Sequence, residues 1–251
     1  MKPQLRVTII NLALFFENYI LPILFAGSIY YLLVFFVKKH EILALVIGEI
    51  LKGHWDRQGL ILVSLAVSKF FFIILYSLFL YGMLVHRPVE KKPESYQELI
   101  FPLLGTFFYL FYQISSFIPP EYNFYIIPEE WLLPSLITGV MINIVGFVIA
   151  IKATFDLRHS FAIFVETRGL VVKGLYSWVR HPLYLGHILV NVGTCFILPK
   201  LFYLFLTVLV SLITIYRAVM EERKIVSVHP EYKGHMARTP FIFPWGKRFK
   251  D

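Results

Sequence analysis

The residues whose chemistry invites a ligand stand in two short blocks of a 251-residue chain. The first is Gly174-Leu-Tyr-Ser-Trp-Val-Arg-His-Pro-Leu-Tyr-Leu-Gly186. Pro182 suits the first turn of a helix, where its missing N–H costs nothing, so Arg180 and His181 fall at that helix's N-terminus. A positive dipole end with an arginine beside it favours an anionic group such as a carboxylate or phosphate. An arginine snorkelling to lipid headgroups accounts for the dipeptide equally well. The second block is Glu221-Glu222. Arg217 and Glu221 are spaced to pair with each other, whereas Glu222 is rotated about a third of a turn away and can face a site. Two adjacent acids at the end of a helix can neutralise an ammonium or a sulfonium. A cationic anion site, an anionic cation site and aromatic residues between them suit a zwitterionic cofactor.

Three further polar residues, His187, Asn191 and Thr194, share one face of an apolar helix. Their plain reading is hydrogen bonding between helices; ligand contact is the alternative. Downstream, Pro230-Glu-Tyr-Lys-Gly-His-Met-Ala-Arg-Thr-Pro-Phe-Ile-Phe-Pro-Trp245 alternates aromatic and basic residues. Such a segment can lie on a membrane surface or fold back as a lid. The single cysteine, Cys195, excludes intramolecular disulfides and any cysteine-based metal cage, and no metal site is expected.

The elements that must position these residues are apolar. Hydrophobic residues make up 58% of the chain, charged residues 16%, and the mean hydropathy is +0.69. Ordinary soluble domains are about half apolar and about a quarter charged, so a soluble enzyme, a disordered chain and a disulfide-rich module are excluded. An all-α, multi-pass membrane bundle remains, with about six spans of roughly 20 residues each. The expected spans are Asn11–Val37, Leu60–Val85, Leu99–Ile118, Leu132–Ile151, Leu183–Leu198 and Leu201–Val219. The last two, separated by Pro199 and Lys200, read as a tight antiparallel hairpin. Segment 38–59 reads either as a plain loop or as a short helix lying in the interface. The chain divides into N-terminal spans over 1–151 and a core with hairpin and tail over 152–251.

Lysines and arginines in the loops and termini sort 17 to one side and 5 to the other. Both termini are therefore expected in the cytosol, and the net charge of +8 reads as topology rather than nucleic-acid binding. The cytosolic segments 152–182 and 220–251 flank the hairpin, and His159, His181, His187, His229 and His235 gather there.

Gly174-x-Tyr-x-x-Val-Arg-His-Pro-x-Tyr-x-Gly186, a hairpin, Glu221-Glu222, Tyr232 and an Arg238…Pro244 tail resemble the isoprenylcysteine carboxyl methyltransferase family. That family is related to the membrane phospholipid N-methyltransferases. The run Asp156-Leu-Arg-His-Ser-Phe…Arg168-Gly-Leu-Val is similar to its bacterial branch, which points to a bacterial inner membrane rather than the endoplasmic reticulum. The resemblance covers about residues 154 to 245. It implies an S-adenosylmethionine-dependent methyltransferase with a cytosol-facing cofactor pocket and a lipophilic substrate entering from the bilayer. Carried over by position, Arg180, His181, Tyr184, His187 and Tyr176 would line the cofactor pocket. Glu221 would close it from the other helix, and Tyr232 and Arg238 would reach it from the tail. Glu222, Glu221 and Arg180 would carry the chemistry. The chain departs from the family pattern at His235, Pro240 and Leu175.

Methyl transfer from a sulfonium is an in-line displacement that depends on holding the reacting atoms about 3 Å apart. A carboxylate acceptor needs no base, whereas an amine must first lose a proton. Both carboxylates and histidines are at hand, so ester and amine products stay open at this stage. An NADPH-dependent membrane reductase of the sterol type is the enzymatic alternative. A non-catalytic transporter or scaffold is the other, against which stands the absence of an internal repeat.

Overall fold

A computed structural model describes residues 3–54, 56–85, 87–107 and 118–244. Every regular element among the described residues is helical. The long helices are α1 (Pro3–Phe15), α2 (Leu21–Leu51), α3 (Arg57–Leu84), α4 (Gln97–Thr106), α5 (Leu132–Leu157), α6 (Pro182–Ile197) and α7 (Leu201–Val228). A short α8 (Tyr232–Arg238) closes the described chain. Two isolated antiparallel bridges, Lys91 with Thr167 and Tyr125 with Lys200, mark opposite ends of the bundle.

The spans differ from the sequence expectation in three ways. The first helix does not stop at Val37: α2 runs on to Leu51, and neither the loop nor the separate interfacial helix expected over 38–59 is present. Nothing between Val37 and Leu51 breaks a helix, because Gly48 is the only poor helix former there. Four segments are long and apolar enough to cross a membrane: 7–51, 57–84, 129–157 and 201–228. Helix α6 is shorter. It is confined between Pro182 and Pro199, and its 16 residues rise about 24 Å, short of a bilayer core of about 30 Å. The expected span Leu99–Ile118 lies partly outside the described residues, which include only its first part as α4.

Between α1 and α2 the backbone makes a π turn over Phe16–Ile20, with Leu21 N–H reaching back to Phe16 O. Pro22 explains it: proline has no N–H for the carbonyl four residues earlier, and a widened turn absorbs the fault. This turn sets the direction of Glu17.

Helices α5 and α6 are the closest pair in the fold. A Cβ on Gly139 would stand 2.6 Å from Gly193 O, and one on Gly186 would stand 2.7 Å from both Ala150 N and Gly146 O. Glycines at two levels thus let two antiparallel backbones touch, as small residues do between membrane helices. Asn143 sits between those levels. It donates to Val190 O and Thr194 Oγ1, both at 3.1 Å, and accepts from Ser68 on α3 at 3.2 Å. Phe147, fully buried, stacks on Phe71 and meets Phe72 edge-on, which seals α3 against α5.

Lys69, deep in α3, lies over the rings of Tyr31 and Phe35 at 5.6 and 4.8 Å. The ring faces supply the negative potential that an apolar helix lacks.

Candidate active site

The ends of α6 and α7 meet in sequence-reversed order, so Arg180 and His181 come opposite Glu221 and Glu222. Before α6 the chain makes a tight turn at Gly174, whose φ of +63° and closeness to Asp156 exclude a side chain. Asp156 accepts the Leu175 N–H at 3.0 Å. A proline at position 175, as in the family pattern, has no such N–H. The tail then folds over the start of α6: Arg180 N–H donates to Pro240 O at 2.9 Å and His181 N–H to Phe241 O at 3.1 Å. The departure at Pro240 therefore leaves a structural role intact, because it acts through its carbonyl.

Glu222 is engaged rather than open. Its Oε1 lies 3.0 Å from His181 Nε2 and 3.2 Å from Arg180 Nε. The Arg180 contact is an ion pair without hydrogen-bond alignment, since Nε is buried with no hydrogen-bond partner. The guanidinium also lies 5.2 Å from the centre of the Phe241 ring. Arg180 and Glu222, which sequence spacing assigns to opposite charges of one ligand, thus partly neutralise each other.

Glu221 accepts from Tyr184 and from Arg217 Nε through the same oxygen, the latter at 3.0 Å. Arg217 is buried at 5% exposure and spends its remaining donors on Thr106 Oγ1 and the carbonyls of Ala162 and Ile163. Its guanidinium also lies 5.2 Å from the Tyr184 ring centre. His181 stacks on Tyr184 with ring centres 5.4 Å apart and planes at 10°.

These groups face a cleft of about 770 Å³, including its mouth to solvent. Of the residues expected from sequence, Tyr176, Arg180, His181, Tyr184, Glu221 and Tyr232 line it. Glu222 stands behind Arg180 and His181 and is not part of the lining. His187 is a turn deeper in α6, against the rings of Phe79 and Tyr184. Arg238 is exposed on α8, where its Nε reaches Gly234 O. Neither His187 nor Arg238 lines the cleft. Asn191 and Thr194 bond to neighbouring helical backbone and to Asn143, as helix-to-helix contacts do.

The cleft wall opposite Arg180 comes from a segment that spacing did not single out. Glu166, Thr167 and Arg168 line it. The Arg168 side chain is fully buried: it binds Glu166 through Nε at 2.5 Å, the Arg87 carbonyl through Nη1 at 2.7 Å, and Glu17 of the π turn through Nη2. Burial and the nearby Glu17 carboxylate push Glu166 up to about 7, while Arg168 pulls the other way. One signal was legible: Glu17 is an acid inside an apolar run, and such residues call for a partner. Burial likewise raises Tyr176 and Tyr232, so both hydroxyls stay protonated at neutral pH.

Residues 134–231 match the model of the phospholipid methyltransferase family. The matched segment runs from the start of α5 to the edge of α8. The resemblance drawn from Arg180-His181-Pro182 and Glu221-Glu222 is to the same superfamily. No curated protein matches the chain.

Proposed function

We propose that the chain is an S-adenosylmethionine-dependent methyltransferase of the membrane, acting on a lipophilic acceptor. The observation that carries this reading is one cleft lined by Tyr176, Arg180, His181, Tyr184 and Glu221 of the family-matched segment together with Tyr232 just beyond it. The lining fits the cofactor. Glu221 and Glu166 supply negative charge for a sulfonium and an ammonium, three tyrosines supply ring faces, and Arg180 supplies positive charge for a carboxylate. Thr167 Oγ1 is a buried polar atom without a hydrogen-bond partner, and Thr167 lines the cleft. Buried polar groups are rarely left unmade, so a polar ligand at that wall is favoured.

When bound, S-adenosylmethionine supplies an electrophilic methyl on sulfur. The residues of this chain position it. Arg180 holds the carboxylate end, with Glu222 fixing the guanidinium from behind; Tyr184 and Arg217 hold Glu221 toward the cationic end. The tail packs over the start of α6, where its Pro240 and Phe241 carbonyls hold residues 180 and 181. The acceptor reaches the cleft from the bilayer, with both termini in the cytosol.

S-adenosylhomocysteine should raise the thermal midpoint of the wild-type protein, because a ligand that binds only the folded state stabilises it by mass action. NADPH should not. Arg180→Ala should weaken S-adenosylhomocysteine binding by roughly 10-fold or more, the loss of about one charge-assisted contact. Stabilisation by NADPH alone, or unchanged affinity in Arg180→Ala, would overturn the assignment.

A further inference from the structure

The end of the bundle away from the cleft carries a cluster that the methyltransferase reading does not use. Arg57, at the start of α3, and Lys200, in the turn between α6 and α7, both lie over the ring of Tyr125, at 4.9 and 5.0 Å from its centre. The elements that carry them are pinned. Asp56 caps α3 by accepting the Gly59 N–H at 2.9 Å. The loop with Tyr125 is tied to the turn with Lys200: Ile126 N–H donates to Pro199 O at 2.9 Å and Leu201 N–H to Phe124 O at 3.1 Å.

Neither cation is neutralised. Both residues are half-buried, and among the described residues no carboxylate pairs with either of them. Acids are close in the chain, since Glu121, Glu129 and Glu130 stand in the connection that carries Tyr125. Arg57 Nε is buried and has no hydrogen-bond partner, which calls for a polar group. Two like charges drawn to one ring repel each other. A ring face offsets only part of that, with about 0.5–2 kcal/mol for each cation. An anion shared by both cations replaces the repulsion with two attractions. Lysines and arginines are also sparse on this side, 5 against 17, so topology does not account for two of them at one ring.

The surroundings point to the anion's source. Tyr122, Phe124 and Trp131 are exposed beside Tyr125, as aromatic residues are at the headgroup level of a bilayer. The acceptor found at that level is the phosphate of a lipid. Its several oxygens suit the fork of an arginine together with the point charge of a lysine. A headgroup with its own ammonium would bring a third cation to a place that already holds two, so a net-anionic headgroup fits better.

We propose that Arg57, Lys200 and Tyr125 form a binding site for the phosphate of an anionic phospholipid in the leaflet facing away from the cleft. The site does not depend on the methyltransferase reading, because none of its residues lines the cleft.

The test titrates full-length protein in detergent with phosphatidylglycerol, with phosphatidylcholine or with inorganic phosphate. The thermal midpoint of each variant is read against the same variant without addition, so a general loss of stability does not imitate the result. Phosphatidylglycerol should raise the wild-type midpoint saturably. Arg57→Gln and Lys200→Gln should each raise the half-saturating concentration roughly 10-fold, the loss of about one charge-assisted contact. Arg57→Lys should raise it by less, because the charge stays and only the fork is lost. Lys52→Gln removes a cation that already pairs with Glu49 at 2.7 Å and should leave it unchanged. Equal stabilisation by phosphatidylcholine would overturn the preference for an anionic lipid. Inorganic phosphate saturating at the same concentration as phosphatidylglycerol would overturn the lipid as the ligand. A half-saturating concentration within threefold of wild type in the variant carrying both Arg57→Gln and Lys200→Gln would overturn the site itself.

Discussion

At the scale of single residues, charge in this protein is placed by neighbours more than by motif position. Arg217 shows it. Its spacing to Glu221 is enough to foresee their pairing, and Nε does lie 3.0 Å from that carboxylate. Its donors to Thr106 and to the Ile163 carbonyl come from residues more than 50 positions away, which no local spacing encodes. Arg217 thus ties α4, the 161–172 segment and α7 at the cleft floor. Arg217→Met should keep the volume and lose the charge, leaving Glu221 and buried carbonyls unpaired. The expected cost is about 3 kcal/mol, read as a lower thermal midpoint. A midpoint equal to wild type would show that those contacts contribute nothing net. Glu222 gives the opposite lesson. Rotation around the helix separates it correctly from Glu221, but only the fold reveals that the direction it faces is filled by Arg180 and His181.

At the scale of elements, the fold rests on how closely α5 and α6 approach. Gly139, Gly146, Gly186 and Gly193 each leave space that a Cβ would close to 2.6–2.8 Å. The Arg180-His181-Pro182 turn ends only about one helical turn before Gly186. Gly186→Val should therefore do two things at once. It should destabilise the fold by at least about 2 kcal/mol through overpacking against backbone, and it should reduce S-adenosylhomocysteine binding by shifting the start of α6. Gly27→Ala on α2, where nothing lies within 4 Å, serves as the comparison and should change neither. Equal behaviour of the two variants would remove the close crossing as a determinant of the site. The same scale explains the length of α2: the stretch 38–51 contains lysines, a histidine and two glutamates, yet those residues form helix readily and the element continues through them.

At the scale of the whole molecule, charge and geometry agree on two ends. One end has the cleft, the C-termini of α3, α5 and α7 and the N-termini of α4 and α6. The other has the Tyr125–Lys200 bridge, where Arg57 and Lys200 both lie over the Tyr125 ring at about 5 Å. The proposed topology, with the cleft end in the cytosol, follows from the 17-to-5 bias. A single cysteine simplifies the test, since Cys195 is buried. Lys173→Cys should react with a membrane-impermeant thiol reagent only from the cytosolic side, and Lys200→Cys only from the other. Labelling of both from one side would reverse or break this topology.

The sequence by itself determined the class of solvent, the helical fold, the charge bias and the two blocks around Arg180 and Glu221. These follow from composition, from 3.6-residue periodicity and from residues close together in the chain. It could not show where α2 ends, because a polar but helix-favouring stretch has no stop signal. Nor could it show that Glu222 is spent on Arg180, that His187 and Arg238 lie off the cleft, or that Glu17, Glu166 and Arg168 share one buried cluster. Those facts depend on contacts between residues as many as 151 positions apart. Only the packing of α3, α5 and α6 and the π turn before Pro22 bring such residues together. In an apolar bundle, tertiary contact decides which charges remain available to a ligand, because each buried charge must find a partner within reach.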